Sequence, residues 1–524
     1  MTSPAAAKPS FYCTTSISYP NGEPHIGHAY ETIAVDALAR FKRLDGFEVR
    51  YLTGTDEHGL KMLQTADREG VPVRELATRN ALAFQAMNDV VGTSYDRFIR
   101  TTDEDHYAAA TAIWQRMEAN GDIYLDKYAG WYSVRDEAFW TEDETEVRED
   151  GRRYSRETET EVTWTEEESY FFRLSGYQQR LLDLYEAHPG FGAPQSRFNE
   201  VISFVRRGLE DLSISRTTFD WGVPVPGNER HVMYVWVDAL TNYLTGVDFP
   251  DTESETFRTF WPADVHVIGK DISRFHAIYW PAFLMSAGLE VPKRVMIHGF
   301  LHNKGVKMSK SLGNTVSPAD WVEQYGLDQV RFFLLREVPF GADGSYSHEA
   351  VVGRMNADLA NNFGNLAQRS LAMVAKNCDG VVPPPGDFEA ADTAILDQAH
   401  ALLQASRAAY DRQEFSRALE VVWAVLGDTN AYFADQQPWV LRKTDPERMQ
   451  TVLYVTLEIL RVVAILTQPV MPGSAGQILT ALGQGTDSDD ARRRFSAVAE
   501  QIEPGTRLPA PVPVFPKYEG PAGD

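Results

Sequence analysis

Two short strings in this 524-residue chain combine residue types that handle phosphate. The first is His25-Ile-Gly-His28. Two nearby imidazoles can donate hydrogen bonds to phosphate oxygens as negative charge builds up. Gly27, with no side chain, lets a ring or a ribose approach the backbone. The second is Lys307-Met-Ser-Lys-Ser311, in which Lys307 and Lys310 flank Ser309. Two ammonium groups with small hydroxyls between them suit a mobile loop that grips a polyphosphate. Taken singly, each string has an ordinary alternative: a turn glycine beside two surface histidines, and a solvated basic loop. Their occurrence together, in this order and each after an apolar strand, argues against coincidence.

The elements that position these residues follow from periodicity. Phe11–Ile17 is rich in β-branched and aromatic residues and predicts a buried strand; Pro20, Asn21, Gly22 and Pro24 then form a turn. Tyr30, Ile33, Ala34, Ala37, Leu38 and Phe41 recur at helical spacing, so a helix runs from Ala29. The histidine string therefore sits at a helix N-terminus, whose unpaired N–H groups and dipole favour an anion. A second strand, Val49–Thr53, leads into Gly54-Thr-Asp-Glu-His-Gly59 and puts Asp56 at a carboxyl end. There it could face a ligand crevice and pair with an ammonium, or serve as a turn aspartate. Val265–Gly269 reads as another strand, followed by Lys270, Asp271 and a helix over Ser273–Met285. Gly269 permits close approach, and Asp271 can accept from two ribose hydroxyls or cap the helix. Tyr234–Tyr243 reads as a strand running into a helix, with aromatics that suit core packing or a polarizable thioether. Ile272 and His276 lie one helical turn apart and share a face.

The two strings resemble the HIGH and KMSKS signatures of the class I aminoacyl-tRNA synthetases. Within that class the chain is similar to the methionyl-tRNA synthetase family, from about Phe11 to about Gly505. The resemblance implies an α/β fold: a Rossmann-like doubly wound parallel sheet forming the catalytic domain, an inserted connective module and a C-terminal α-helical bundle. Its expected division is 1–118 and 228–290 for the two catalytic halves, 119–227 for the connective insertion, 291–345 for a linking element with the KMSKS loop, 346–505 for an anticodon-binding bundle and 506–524 for a tail. The implied reaction joins methionine to ATP as an adenylate and then transfers it to the terminal adenosine of its tRNA. In those terms His25, His28, Lys307 and Lys310 are catalytic. Asn21, Gly27, Gly269, Asp271 and Ser309 help hold ATP with Mg²⁺. Ile17, Tyr19, Asp56, Trp236, Ala239, Leu240, Tyr243, Ile272 and His276 hold methionine, although relatives often have proline at the position of Leu240. Asn365, Arg369 and Trp439 read the CAU anticodon of tRNA(Met).

Many relatives bind zinc in the connective module. Here the matching positions are Ser133 and Asp136, and no cysteine or histidine lies between His106 and His188. A knuckle needs four soft ligands, so no metal is expected, and aromatic packing is expected to hold the module. The insertion is also too short for the large hydrolytic editing domain of the valyl, isoleucyl and leucyl relatives, which favours methionine or another amino acid that does not require that domain.

Composition bounds the rest. The formal net charge of −24 argues against nonspecific nucleic-acid binding, and much of the acidic excess lies in Asp136–Glu168. No apolar run approaches the roughly 20 residues that span a bilayer, and Met1–Ser10 lacks the apolar core of a secretory signal. Two cysteines, Cys13 and Cys378, cannot build a disulfide framework. A cytoplasmic monomer with no membrane contact is the expectation. Three alternatives stay open: the same chemistry on another amino acid, a nucleotidyltransferase unrelated to tRNA, and a non-catalytic tRNA-binding paralogue. The helical C-terminal region argues against the second, and the intact signatures against the third.

Overall fold

The computed structural model describes residues 8–136, 138–303, 305–307 and 315–520. Its centre is a six-stranded parallel sheet in the order Arg97–Arg100, Glu48–Thr55, Ser10–Thr14, Val265–Gly269, Val295–His298 and Gly192–Ala193. The first strand in sequence lies in the middle, and the winding reverses between it and Val265–Gly269. In a doubly wound sheet the ligand crevice opens at that switch point, outside the carboxyl ends of the strands. Gly54 is needed for the pairing: a Cβ there would stand 2.0 Å from the carbonyl oxygen of Ile99 on the next strand.

Two of the six strands, Gly192–Ala193 and Val295–His298, come from outside the segments 1–118 and 228–290 assigned to this sheet from sequence. The inserted module is built on an antiparallel sheet, in the order Leu212–Ser213, Thr163–Phe172, Ile123–Ser133 and Ala138–Trp140. Its two central strands pair over ten residues.

The Ile26–Leu44 helix, which begins at the histidine string, joins the sheet to the C-terminal helices. Phe41 stacks on Tyr410 at 3.9 Å, Lys42 pairs with Asp411 at 2.6 Å, and Asp45 accepts from Arg407 at 2.6 Å. The bundle comprises Asn365–Asn377, Ala390–Asp411, Phe415–Gln436 and Pro446–Thr467. Leu419, Val422, Trp423 and Leu426 form one buried stripe, as their spacing predicts. Pro446–Thr467, contrary to expectation, is long and apolar enough to cross a membrane, but 94% of its most apolar window is buried within the protein. The tail to residue 520 stays attached: Phe515 packs on Phe363 at 5.6 Å, and the Tyr518 N–H donates to Asn356 Oδ1 at 2.9 Å.

Candidate active site

His25 is the N-cap of the Ile26–Leu44 helix. Its Nδ1 accepts from the Gly27 N–H at 3.1 Å, while its own backbone N–H donates to Nδ1 of His28 at 3.1 Å. This reciprocal cap has the form of a capping box made by imidazoles. Because each Nδ1 is an acceptor, each neutral ring carries its proton on Nε2, a donor suited to an anion. The rings lie 3.9 Å apart, and His28 meets the edge of Phe84 at 5.0 Å.

Asp56 follows the strand Glu48–Thr55 at the predicted carboxyl end and is 7% exposed. Its backbone N–H donates to Ser18 O at 2.9 Å, which fixes it beside Ile17 and Tyr19. The Tyr19 hydroxyl accepts from the Met62 N–H at 3.1 Å. The next residue, Glu57, is fully buried and held by Arg100 through two bonds of 2.7 and 2.8 Å.

The apolar part of the site lies on the Val235–Thr245 helix, which starts earlier than the expected strand-to-helix transition. Ala239, Leu240 and Tyr243 are buried, and Trp236 stacks flat on Phe275 at 3.8 Å. His276 Nδ1 donates to Ile272 O at 3.0 Å, so its Nε2 accepts from the Tyr243 hydroxyl at 2.7 Å. Burial lowers the His276 pKa to about 4, and the ring is neutral. The result is a pocket walled by aromatic faces, with the His276 ring tied to Tyr243 and to the Ile272 carbonyl.

Ile17, Tyr19, Asn21, His25, Gly27, His28, Asp56, Trp236, Ala239, Leu240, Tyr243, Gly269, Asp271, Ile272 and His276 all line one cavity of about 1490 Å³. Ser309 and Lys310 lie outside the described residues; Lys307 ends the short strand Val306–Lys307 that leads towards them. Asn365, Arg369 and Trp439 lie away from the cavity, on the helical bundle. Arg369 donates to Asn430 at 3.2 Å and sits 5.3 Å over Phe433, whose ring lies 6.1 Å from that of Trp439. Trp439 is 42% exposed rather than a core residue.

Among the cavity-lining residues missed from sequence are Glu31, His298 and Arg216. Glu31 accepts from both the N–H and the hydroxyl of Ser16 at 2.7 Å, and from His298 Nε2 at 2.7 Å. Burial alone would lower the His298 pKa, but the bond and charge of Glu31 raise it above the ordinary value. A histidine closing an apolar strand, level with Gly269 on its neighbour, was the available signal. The third, Arg216, is 3% exposed and faces the rings of Phe139 and Tyr234 at 4.7 Å each.

At the positions matching a zinc knuckle, the hydroxyls of Ser133, Thr158 and Thr160 converge on the Asp136 carboxylate, Ser133 Oγ at 2.9 Å. Hydroxyls around one carboxylate do not fit the soft donor set of a zinc knuckle. Among the described residues no group of three or more His, Cys, Asp or Glu could hold a metal ion. This polar cluster joins the expected aromatic contacts, Trp131–Trp164 at 5.2 Å and Tyr132–Phe139 at 4.8 Å, in holding the module.

A family model described as tRNA synthetases class I (M) matches residues 11–371, and one for the anticodon binding domain of methionyl tRNA ligase matches residues 382–521. The methionine–tRNA ligase of Brucella suis biovar 1 is 63% identical over 513 residues, 98% of each chain. That of Mycobacterium bovis is 62% identical over 515 residues, again 98% of each. Among solved structures, Mycobacterium tuberculosis methionyl-tRNA synthetase bound by methionyl-adenylate superposes with a TM-score of 0.94 at 62% identity, covering 97% of this chain and 100% of that one. The free form of that enzyme gives 0.90 at 58% identity, covering 99% and 100%. The chain belongs to the methionyl-tRNA synthetase family of the class I tRNA synthetases.

Proposed function

We propose that this chain activates methionine with ATP and transfers it to tRNA(Met), using the residues gathered at the switch point. The carrying observation is that one cavity brings a phosphate-ready helix terminus, a buried carboxylate and a neutral aromatic pocket together. In the first step a carboxylate oxygen of methionine attacks the α-phosphorus of ATP, and the bond to pyrophosphate breaks. The attacking carboxylate is already ionised, so no general base is needed, and catalysis is positioning plus charge stabilisation.

Asp56 pairs with the substrate ammonium. Trp236, Ala239, Leu240, Tyr243, Ile272 and His276 enclose the thioether, with Ile17 and Tyr19 bordering it; polarizable sulfur packs well against ring edges. A neutral His276 suits this apolar side chain. Asp271 takes the ribose hydroxyls beside Gly269. His25 and His28 donate from Nε2 to the phosphates, assisted by Asn21, with Gly27 leaving room for the nucleotide. Lys307, Ser309 and Lys310 follow the leaving pyrophosphate. Magnesium enters as part of the substrate, complexed with the ATP phosphates. In the second step a ribose hydroxyl of the tRNA terminal adenosine attacks the adenylate carbonyl and AMP leaves. Asn365 and Arg369 hydrogen-bond anticodon base edges, and the exposed Trp439 stacks an unpaired base.

The test is charging of tRNA with labelled methionine by the unmodified protein and by His25→Ala and His28→Ala. Acid-precipitable methionyl-tRNA that falls at least a hundredfold in both variants supports the reading. Full charging by either variant removes that histidine from the mechanism.

A further inference from the structure

Beside the cavity, outside the assignments above, lies a buried carboxylate shared by two imidazoles. Asp238 is fully buried, as is His106, and His58 is 1% exposed. A carboxylate only accepts, so His58 Nδ1–H donates to Oδ2 at 2.6 Å and His106 Nε2–H donates to Oδ1 at 2.7 Å. The opposite nitrogens bond hydroxyls: His58 Nε2 that of Tyr107 at 2.9 Å, and His106 Nδ1 that of Thr245 at 3.0 Å, which also reaches the Thr241 carbonyl at 3.2 Å. Each ring is therefore held at both nitrogens, between the shared carboxylate and a hydroxyl.

The connectivity gives this cluster its meaning. His58 stands two residues after Asp56. Asp238 is in the first turn of the helix that carries Trp236, Ala239 and Leu240. His106 belongs to a third element, the Glu104–Ala119 helix, which packs on the second. We propose that the His58–Asp238–His106 bridge positions the two halves of the methionine site, setting the separation between Asp56 and the side-chain pocket. The inference rests on the reading of Asp56 and that pocket given above.

A methionine molecule is held at its ammonium and at its thioether end. The joint between the elements carrying those contacts decides whether both are made at once. Apolar packing alone tolerates sliding, whereas short bonds to a buried carboxylate are directional. Burial on its own would raise the Asp238 pKa, but the two histidines bring it down to about 2, so the bridge keeps its charge across the working pH range. Asp238→Asn would put an amide N–H against one imidazole N–H. One ring would then have to change tautomer, reversing its bond to the Tyr107 or Thr245 hydroxyl, and its charge-assisted bond to the carboxylate would be lost.

The experiment measures KM for methionine and for ATP separately in pyrophosphate exchange, with melting curves for each variant. Asp238→Asn is expected to raise KM for methionine at least tenfold while KM for ATP moves less than twofold. Asparagine can place an amide N–H near Nδ1 and glutamine near Nε2. His58→Asn and His106→Gln are therefore expected within threefold of the unmodified enzyme, and His58→Leu is not. An unmoved methionine KM, parallel rises for both substrates, or loss of active enzyme with normal KM values in the remainder would each overturn the inference. Should Asp238→Asn not fold, His58→Asn against His58→Leu decides: equal methionine KM values overturn it. Absence of methionine-dependent exchange in the unmodified protein would instead refute the functional reading, and this inference with it.

Discussion

Replacing His276 with asparagine should change how stability depends on pH. The ring is 2% exposed, its Nδ1–H donates to Ile272 O, and its Nε2 accepts from Tyr243. Burial brings its pKa from 6.5 to about 4. Between those values the unfolded chain binds a proton that the folded chain refuses. The contribution is fully present above about pH 6.5 and is lost as pH falls through about 4. A displacement of that size is worth roughly 3 kcal/mol. Asparagine can keep a donor to Ile272 O but does not titrate. The stability advantage of the unmodified protein over His276→Asn should therefore shrink by about 3 kcal/mol between pH 7 and pH 4. Burial and His276 also lower the His266 pKa; the burial part is common to both proteins, and loss of the His276 part in the variant only adds to the shrinkage. Urea denaturation at a series of pH values, followed by circular dichroism, measures the difference. Parallel pH profiles would refute the reasoning, because they would mean that the folded ring accepts a proton as readily as the unfolded one.

The remaining predictions concern other joints. Asp56→Asn should raise KM for methionine about ten- to a hundredfold, since a hydrogen bond to a charged group is worth roughly 1.5–3 kcal/mol; steady-state exchange kinetics check it. Trp439→Ala should leave exchange untouched and raise KM for tRNA in charging assays, because stacking contributes about 1–3 kcal/mol per base. Arg331 is fully buried and bonds Asp36 at 2.6 Å and the carbonyls of Val91, Pro469 and Val470. Arg331→Met should cost about 3–5 kcal/mol of stability by stranding those groups, read as a shift in urea midpoint. Gly54→Ala should yield little soluble protein, since the added methyl meets the Ile99 carbonyl; soluble expression beside the parent tests this.

Much of the site was legible because its chemistry is concentrated at strand ends. Asp56 and Asp271 follow short apolar runs bounded by glycine, and the histidine string precedes an unmistakably periodic helix. Burial and long-range bonding account for what was not legible. The run Val235-Trp-Val237 has the composition of a strand, yet it begins a helix whose residues from Val237 to Thr245 are all buried. The helix expected over Ser273–Met285 is a 3₁₀ turn at Lys270–Ile272, a π-helical turn at Phe275–Tyr279 and an α-helix at Trp280–Ser286. Pro281 has no N–H to give the Ala277 carbonyl, which accepts from the Tyr185 hydroxyl at 2.6 Å instead. Tyr185 is 92 residues away in sequence, so no local pattern could have announced it. Glu31 and Asp238 escaped for the same reason: each looks like an ordinary helix carboxylate until its partners from other elements are in place. The two strands that complete the sheet, Gly192–Ala193 and Val295–His298, are too short to signal their pairing alone.

The most direct test of the central claim is ATP–pyrophosphate exchange without tRNA, run with each of the twenty amino acids in turn. The account predicts exchange with methionine alone, because the proposed ammonium and thioether contacts and the two histidines all line one cavity and none lies on the helical bundle. Exchange driven by a different amino acid would contradict the pocket assignment, and no exchange with any amino acid would contradict the claim that this cavity forms an adenylate by itself.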